Sequence, residues 1–242
     1  VISSLQGHGG HSGDDGGETR AAEPTAQAER RVRLHDVSMG DMDVLEVLDQ
    51  RQLAQHVILL VNYLSDGSPQ YGLSWVDSAT EMATNTLPLT ALSMSWPDCV
   101  PTSIAVYGTM VAVVTDKGVA VLELGPVLAA GGGTPDIQLV VNPESPDGGF
   151  GAGSRAAFGL TRGIPRVFIT DAVRDKVYTT EIVLPAPLGA PSDGSVTASN
   201  ASVAWTGTTG DLPRGIVLDD VGNVWLALFG GNRIIQCGIQ MD

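Results

Sequence analysis

Three aspartates, Asp66, Asp116 and Asp171, recur along this chain at intervals of about 50 to 55 residues, each just after an apolar run. Carboxylates repeated at one structural position can converge on a common axis and hold a hard cation such as Ca²⁺. Asp also accepts backbone N–H bonds in its own tight turn, and an isolated Asp at the end of an apolar run is read first in that way. His8 and His11 with Asp14 and Asp15 have ligand chemistry too, but their Gly-rich surroundings offer no preorganised geometry.

Other reactive types are scattered. Arg155, Arg162, Arg166, Arg174 and Arg214 gather in the last third of an acidic chain, a set that could hold an anionic ligand or balance neighbouring carboxylates in solvent. Arg214 and Arg162 are the candidates for ligand contact. Cys99 and Cys237 are a pair that could bridge in an oxidising compartment or stay as buried thiols in a reducing one. Asn200-Ala201-Ser202 fits a glycosylation acceptor, which matters in a secreted eukaryotic chain. The acceptor leans the localisation outward without deciding it. Gly149-Phe-Gly-Ala-Gly153 lacks the strand-to-helix context of a phosphate loop and reads as a connection. Asp219 and Asp220 read as turn residues, because a catalytic pair needs environments that pull two pKa values apart.

The elements that must position these residues are strands. Four hairpin patterns stand out: Val57 to Tyr63 with Tyr71 to Val76, Met110 to Thr115 with Val119 to Leu124, Val167 to Thr170 with Val177 to Ile182, and Val224 to Leu228 with Arg233 to Gln236. Their period is about 50 to 57 residues, the span of a four-stranded propeller blade with its loops. A further short strand precedes each of the last three (Thr102 to Val106, Ala156 to Leu160, Gly215 to Asp219), and Ile137 to Val141 and Ser202 to Trp205 suit outer strands. The expected fold is therefore all-β: a β-propeller of four-stranded antiparallel blades, four of them recognisable. No helix is expected in this body. Trp75, Trp225, Tyr178 and Phe168 fall inside strands and are expected to pack between blades; Trp96, among prolines, suits an exposed contact.

Residues 1–30 are rich in Gly, Ser and acidic side chains and have almost nothing to bury after Leu5, so they read as a flexible arm. Residues 31–242 form the propeller. The last blade lacks a fourth strand, and the segment 31–50, through Val32 to Val37 or Val44 to Leu48, is the natural ring-closing donor. The chain opens at Val1 with no basic or apolar leader pattern, compatible with a processed precursor or with part of a larger ring.

Composition narrows the partners. With 13 Lys+Arg against 27 Asp+Glu, the formal charge of −14 opposes nucleic-acid phosphates and anionic headgroups. No run approaches the roughly 18 apolar residues of a membrane-spanning helix. Nucleic acid and membrane insertion are set aside, a protein partner is expected, and a small-molecule substrate belongs to an enzymatic alternative.

The segment Leu212-Pro-Arg-Gly-Ile through Asp219-Asp-Val-Gly-Asn-Val-Trp225 to Gly230-Gly-Asn-Arg-Ile234 resembles a blade of the gluconolactonase-like and NHL-repeat propellers. Gly159 to Tyr178 is similar to the blade before it. The resemblance covers about 80 residues and implies a six-bladed ring, for which roughly 80 to 100 further residues would be needed at this period. In the gluconolactonase-like enzymes it implies a divalent metal held by a Glu, two Asn and an Asp. The position matching the Asp is Arg214, that matching one Asn is Phe158, and the other falls near Ser103; no matching Glu is identifiable. The His of amidating-lyase propellers has no counterpart either, since His8, His11, His35 and His56 all precede the first clear hairpin. The expectation is a non-catalytic binding or assembly module without a cofactor. The alternative is a Ca²⁺- or Zn²⁺-dependent lactonase- or esterase-like hydrolase with relocated ligands.

Overall fold

The structure is a computed structural model that describes residues 44–53, 56–65, 68–77, 83–88, 99–130, 135–183 and 196–237. These residues form four antiparallel sheets. The first comprises β1 (Val44–Leu53), β2 (His56–Ser65), β3 (Ser68–Asp77) and β4 (Ala83–Pro88), and the second β5 (Pro101–Tyr107), β6 (Met110–Thr115), β7 (Gly118–Glu123) and β8 (Ile137–Val140). The third holds β9 (Ala156–Thr161), β10 (Ile164–Asp171) and β11 (Lys176–Val183), with β12 (Thr197–Ala198) and β13 (Ser202–Thr206) both paired to β11. The fourth has three strands: β14 (Pro213–Leu218), β15 (Val224–Leu228) and β16 (Arg233–Cys237).

In every sheet the strands lie in chain order, and the first strands β1, β5, β9 and β14 pack side by side in succession. All four hairpins expected from sequence form, with Met110 opposite Glu123, Phe168 opposite Thr179 and Trp225 opposite Gln236. A short helix, α1 (Gly125–Ala130), interrupts the connection from β7 to β8, where no helix was expected. Its sequence, Gly-Pro-Val-Leu-Ala-Ala, places Pro126 in the first turn, where a missing N–H costs nothing. Val127 then docks on the core between the first two sheets.

The core lies between sheets. Ile58, Leu60, Leu73 and Trp75 of the first meet Ile104, Val111, Val113 and Leu122 of the second. The opposite face of the second sheet, with Ala112, Val114, Val119 and Val121, meets Phe158, Val167, Ile169 and Tyr178 of the third. Phe168, Val177 and Ala204 of the third meet Val224, Leu226 and Leu228 of the fourth. This explains why β6 (Met-Val-Ala-Val-Val-Thr) and β7 (Gly-Val-Ala-Val-Leu-Glu) read as unbroken apolar runs: every residue of both is buried, because both faces of their sheet are covered.

One of the two runs offered for ring closure has another place. Val44 to Leu48 belongs to β1, the first strand of the first sheet, paired along its length with β2. Val32 to Val37, the arm 1–30, Asp66 and Trp96 lie outside the described residues. Both cysteines remain thiols, Cys99 half-buried and Cys237 in the core between the third and fourth sheets, where burial pushes its thiol up to about 11. Among the described residues no helix is long and apolar enough to cross a membrane.

Phe168 is wholly buried between two sheets. Phe168→Ala is expected to cost about 3 to 5 kcal/mol in urea unfolding, whereas Val221→Ala, in an exposed turn, should stay within about 0.5 kcal/mol.

Candidate functional site

Antiparallel strands in chain order place all sheet-to-sheet connections at one end of the sheets, together with the β6–β7, β10–β11 and β15–β16 turns. At this loop end the second, third and fourth sheets are each fastened at the entrance. Asp116 N donates to the carbonyl of Val100 (3.0 Å), Thr170 N to that of Arg155 (2.9 Å) and Phe229 N to that of Leu212 (3.1 Å). In the second sheet the Asp116 carboxylate completes the clasp by accepting from Val100 N (2.7 Å).

The position of Asp116 is held in the third sheet by Thr170, whose Oγ1 accepts from Arg155 N (2.9 Å), while the next residue, Asp171, serves its own turn. Asp171 is fully buried. Its Oδ1 accepts the N–H groups of Val173 (3.0 Å) and Arg174 (3.1 Å), and its Oδ2 accepts from the Arg174 guanidinium (2.8 Å) and from Asn142 Nδ2 (3.0 Å). Asn142 leaves the end of β8, so this last bond ties the second sheet to the third. Sequence reasoning passed over Asn142, which carries no motif; the signal was an amide just past an apolar strand, before Pro143.

A groove of about 570 Å³ opens beside these turns, lined by Asp116 and Lys117 of one hairpin, Val173 and Arg174 of the next, and Ser145, Asp147 and Phe150 of the connection between them. Gly149-Phe-Gly-Ala-Gly153 forms one wall of it as a connection between sheets. Ser145 Oγ donates to Asp147, whose carboxyl is held below the ordinary carboxylate range chiefly by that bond. Nearby, Glu144 accepts from Lys176 Nζ (2.6 Å) and from the Tyr178 hydroxyl (2.9 Å), which lower its pKa. Burial, and then the Glu144 contact, raise that of Tyr178. Opposite charges alternate around the groove.

The residues matched to family ligands lie elsewhere. Ser103, in β5, is buried with its Oγ unpartnered. Phe158, in β9, is a core side chain whose ring meets Tyr107 at 5.8 Å. Arg214, at the start of β14, is exposed, its guanidinium 5.0 Å from the Phe229 ring centroid. A buried hydroxyl, a phenyl ring and a guanidinium do not fit a divalent cation at these three positions. Among the described residues no group of three or more His, Cys, Asp or Glu gathers as a metal site.

The arginines close in sequence are not brought together. Arg162 sits with positive φ (53°) beside Gly163 (80°) in the β9–β10 turn, at the end away from the loops. Two consecutive positive φ values are what a two-residue hairpin turn requires. Arg166 pairs with Glu181 (3.1 Å), Arg174 with Asp171, and Arg155 donates to the carbonyl of Thr102. Asn200 is exposed between β12 and β13.

Two further aspartates hold the fourth sheet. Asp175 accepts from the backbone N–H of Gly210 (2.8 Å) and Leu212 (2.7 Å), fastening the connection that enters β14. Asp219 caps the β14–β15 turn and accepts the Trp225 indole N–H (3.0 Å); hydrogen bonds from Trp225 and Asn223 lower its carboxyl to about 2.

No family model matches this chain, and no curated protein matches it. Among solved structures, it is similar to the hydrazine synthase of Kuenenia stuttgartiensis at 12% identity, covering 80% of this chain and 77% of that one with a TM-score of 0.29. An engineered GH43 glycoside hydrolase with endo-xylanase and exo-arabinofuranosidase activity is similar at 12% identity over 80% of this chain and 51% of that one, with a TM-score of 0.21. Likenesses this distant assign no activity.

Asp171→Ala strands the Arg174 and Asn142 donors and is expected to destabilise the chain by about 3 kcal/mol in urea unfolding. Because the Asp219 carboxyl is depressed in the folded state, its contribution is complete above the ordinary value of 3.8 and is lost as pH falls from there through about 2. Melting temperatures measured from pH about 5 to about 2 should fall less steeply for Asp219→Asn than for the parent chain.

Proposed function

We propose that the four sheets are consecutive blades of a β-propeller, and that the protein is a non-catalytic binding or assembly module contacting a protein partner through its loop end. The side-by-side first strands, with each sheet running outward in chain order, support the blade reading. The observation that carries the functional reading is what the loop end exposes. Val100 (45% exposed), Val141 (49%), Val173 (68%) and Phe229 (64%) all lie there, in connections or hairpin turns, and Val173 lines the mixed-charge groove. A hairpin tip gains nothing for its own sheet by presenting valine to water. Apolar side chains beside charged ones are instead the make-up of a protein-contact surface, where a desolvated centre supplies energy and charges set orientation.

The hydrolase alternative requires a cation near these turns, and two of the carboxylates best placed for it, Asp116 and Asp171, already accept bonds from backbone or side-chain donors. A ligand that binds the native state raises the melting temperature. After dialysis against metal-free buffer, we expect no stoichiometric metal by elemental analysis and no rise in melting temperature with excess Ca²⁺ or Zn²⁺; either result reversed would favour the hydrolase. Val173→Asp should leave the melting temperature within a few degrees and weaken capture of a specific partner by about tenfold or more in quantitative affinity enrichment. Partner binding indifferent to Val173→Asp and Val100→Asp would place the contact elsewhere.

A further inference from the structure

The fourth sheet has one covered face and one open one. Val224, Leu226 and Leu228 of β15 turn into the core against the third sheet, while Trp225 and Ala227, between them, are exposed. Yet β15 reads Val-Trp-Leu-Ala-Leu, the unbroken apolar run that in β6 and β7 accompanies cover on both faces. Registers set the outward residues beside one another: Val217 and the exposed Gln236 flank Trp225, and Ala227 lies opposite Ile234. Val217 is 56% exposed, Trp225 37% and Ile234 72%. Each of the other interfaces between successive sheets buries a patch of this kind.

Charge identifies what covers it. Arg214 stands at the loop end of this face, sharing a shallow groove with Ala227 and Ile234. Asp219 and Asp220 stand at the opposite end, where Asp219 is bonded to the outward Trp225. Arg233, also at the loop end, is paired with Asp211 at 2.7 Å. The face is thus basic at one end, apolar in the middle and acidic at the other. Its ends are roughly 17 to 20 Å apart along a six-residue strand, farther than charges interact through physiological salt. We infer that this face is a self-association surface, covered in solution by the same face of a second copy of the chain. Two-fold axes in the plane of contact can bring such faces together in two ways. An axis along the strands opposes like ends, Arg214 to Arg214 and aspartates to aspartates. An axis across the strands opposes Arg214 of each copy to Asp219 and Asp220 of the other, twice by symmetry. The charges select the second arrangement, in which Trp225 and Ile234 of the two copies form the dry centre. This goes beyond the loop-end contact proposed above; Phe229 of the loop end packs on Arg214 of this face, but Trp225 and Ile234 here and Val100 and Val173 there are separate, so either can fail alone.

Sedimentation equilibrium over a concentration series tests it. The expected species is a dimer at twice the 25.1 kDa chain mass. Trp225→Glu and Ile234→Lys, both at exposed positions, should each weaken it at least about tenfold with unchanged circular dichroism. Charge gives the sharper readout. Arg214→Glu alone and Asp220→Arg alone should each favour monomer, and an equimolar mixture of the two variants should recover dimer, because both cross-contacts are then again between opposite charges. A chain monomeric at every concentration, a dimer indifferent to Ile234→Lys, or a charge-variant mixture that stays monomeric would overturn the inference. The effect of Val173→Asp on partner capture reports on the loop end in every case.

Discussion

An antiparallel sheet whose side chains are apolar on both faces cannot leave either in water, and the arrangement of this chain follows from that constraint. Burying a large apolar side chain is worth about 1.5 to 3 kcal/mol, and the second sheet buries every residue of two adjacent strands. Its two faces demand two neighbours. The first and third sheets supply them, and the third in turn is covered by the fourth. Stacking sheet on sheet in chain order, with first strands adjacent, satisfies the demand.

The connections between the sheets emerge at one end, and polar chemistry concentrates there. Backbone N–H and C=O groups leaving the strands need partners, and aspartate supplies acceptors to several at once. Asp116, Asp171, Asp175 and Asp211 each accept from backbone N–H groups at this end. Asp116 and Asp171 are thus accounted for as fasteners, and Asp171 with Asn142 carries the fastening from one sheet to the next. The groove beside them is what remains where two hairpins and a connection meet with their charges partly paired.

The fourth sheet obeys the constraint on one side and not on the other. Its composition is that of an interior sheet, and its open face carries an indole, an isoleucine and a valine. Among the described residues its outer strand β16 also has no further strand beside it, whereas each of the other sheets has a strand beyond its third. Both features mark this as the place where the molecule has a demand its own described residues do not meet.

The strands themselves were legible in the sequence, because alternation and apolar runs are local and a hairpin needs only nearby residues to form. All four hairpins and the first strands of the last three sheets could be read from letters. The turn role of Asp171 could be read too, since a carboxylate after a strand bonds within its own turn, whereas Asp116 reaches across to Val100 at the entrance of its sheet. Tertiary structure decided what depends on distance through space. It put Val44 to Leu48 in β1, because that segment meets β2 before any remote edge. It dispersed the arginines to opposite ends of the strands, because a two-residue turn reverses the chain and carries Arg162 away from Arg155 and Arg174. It also turned Trp225 outward, for an apolar letter in a strand states that a face should be covered, and only the packing of whole sheets determines whether it is.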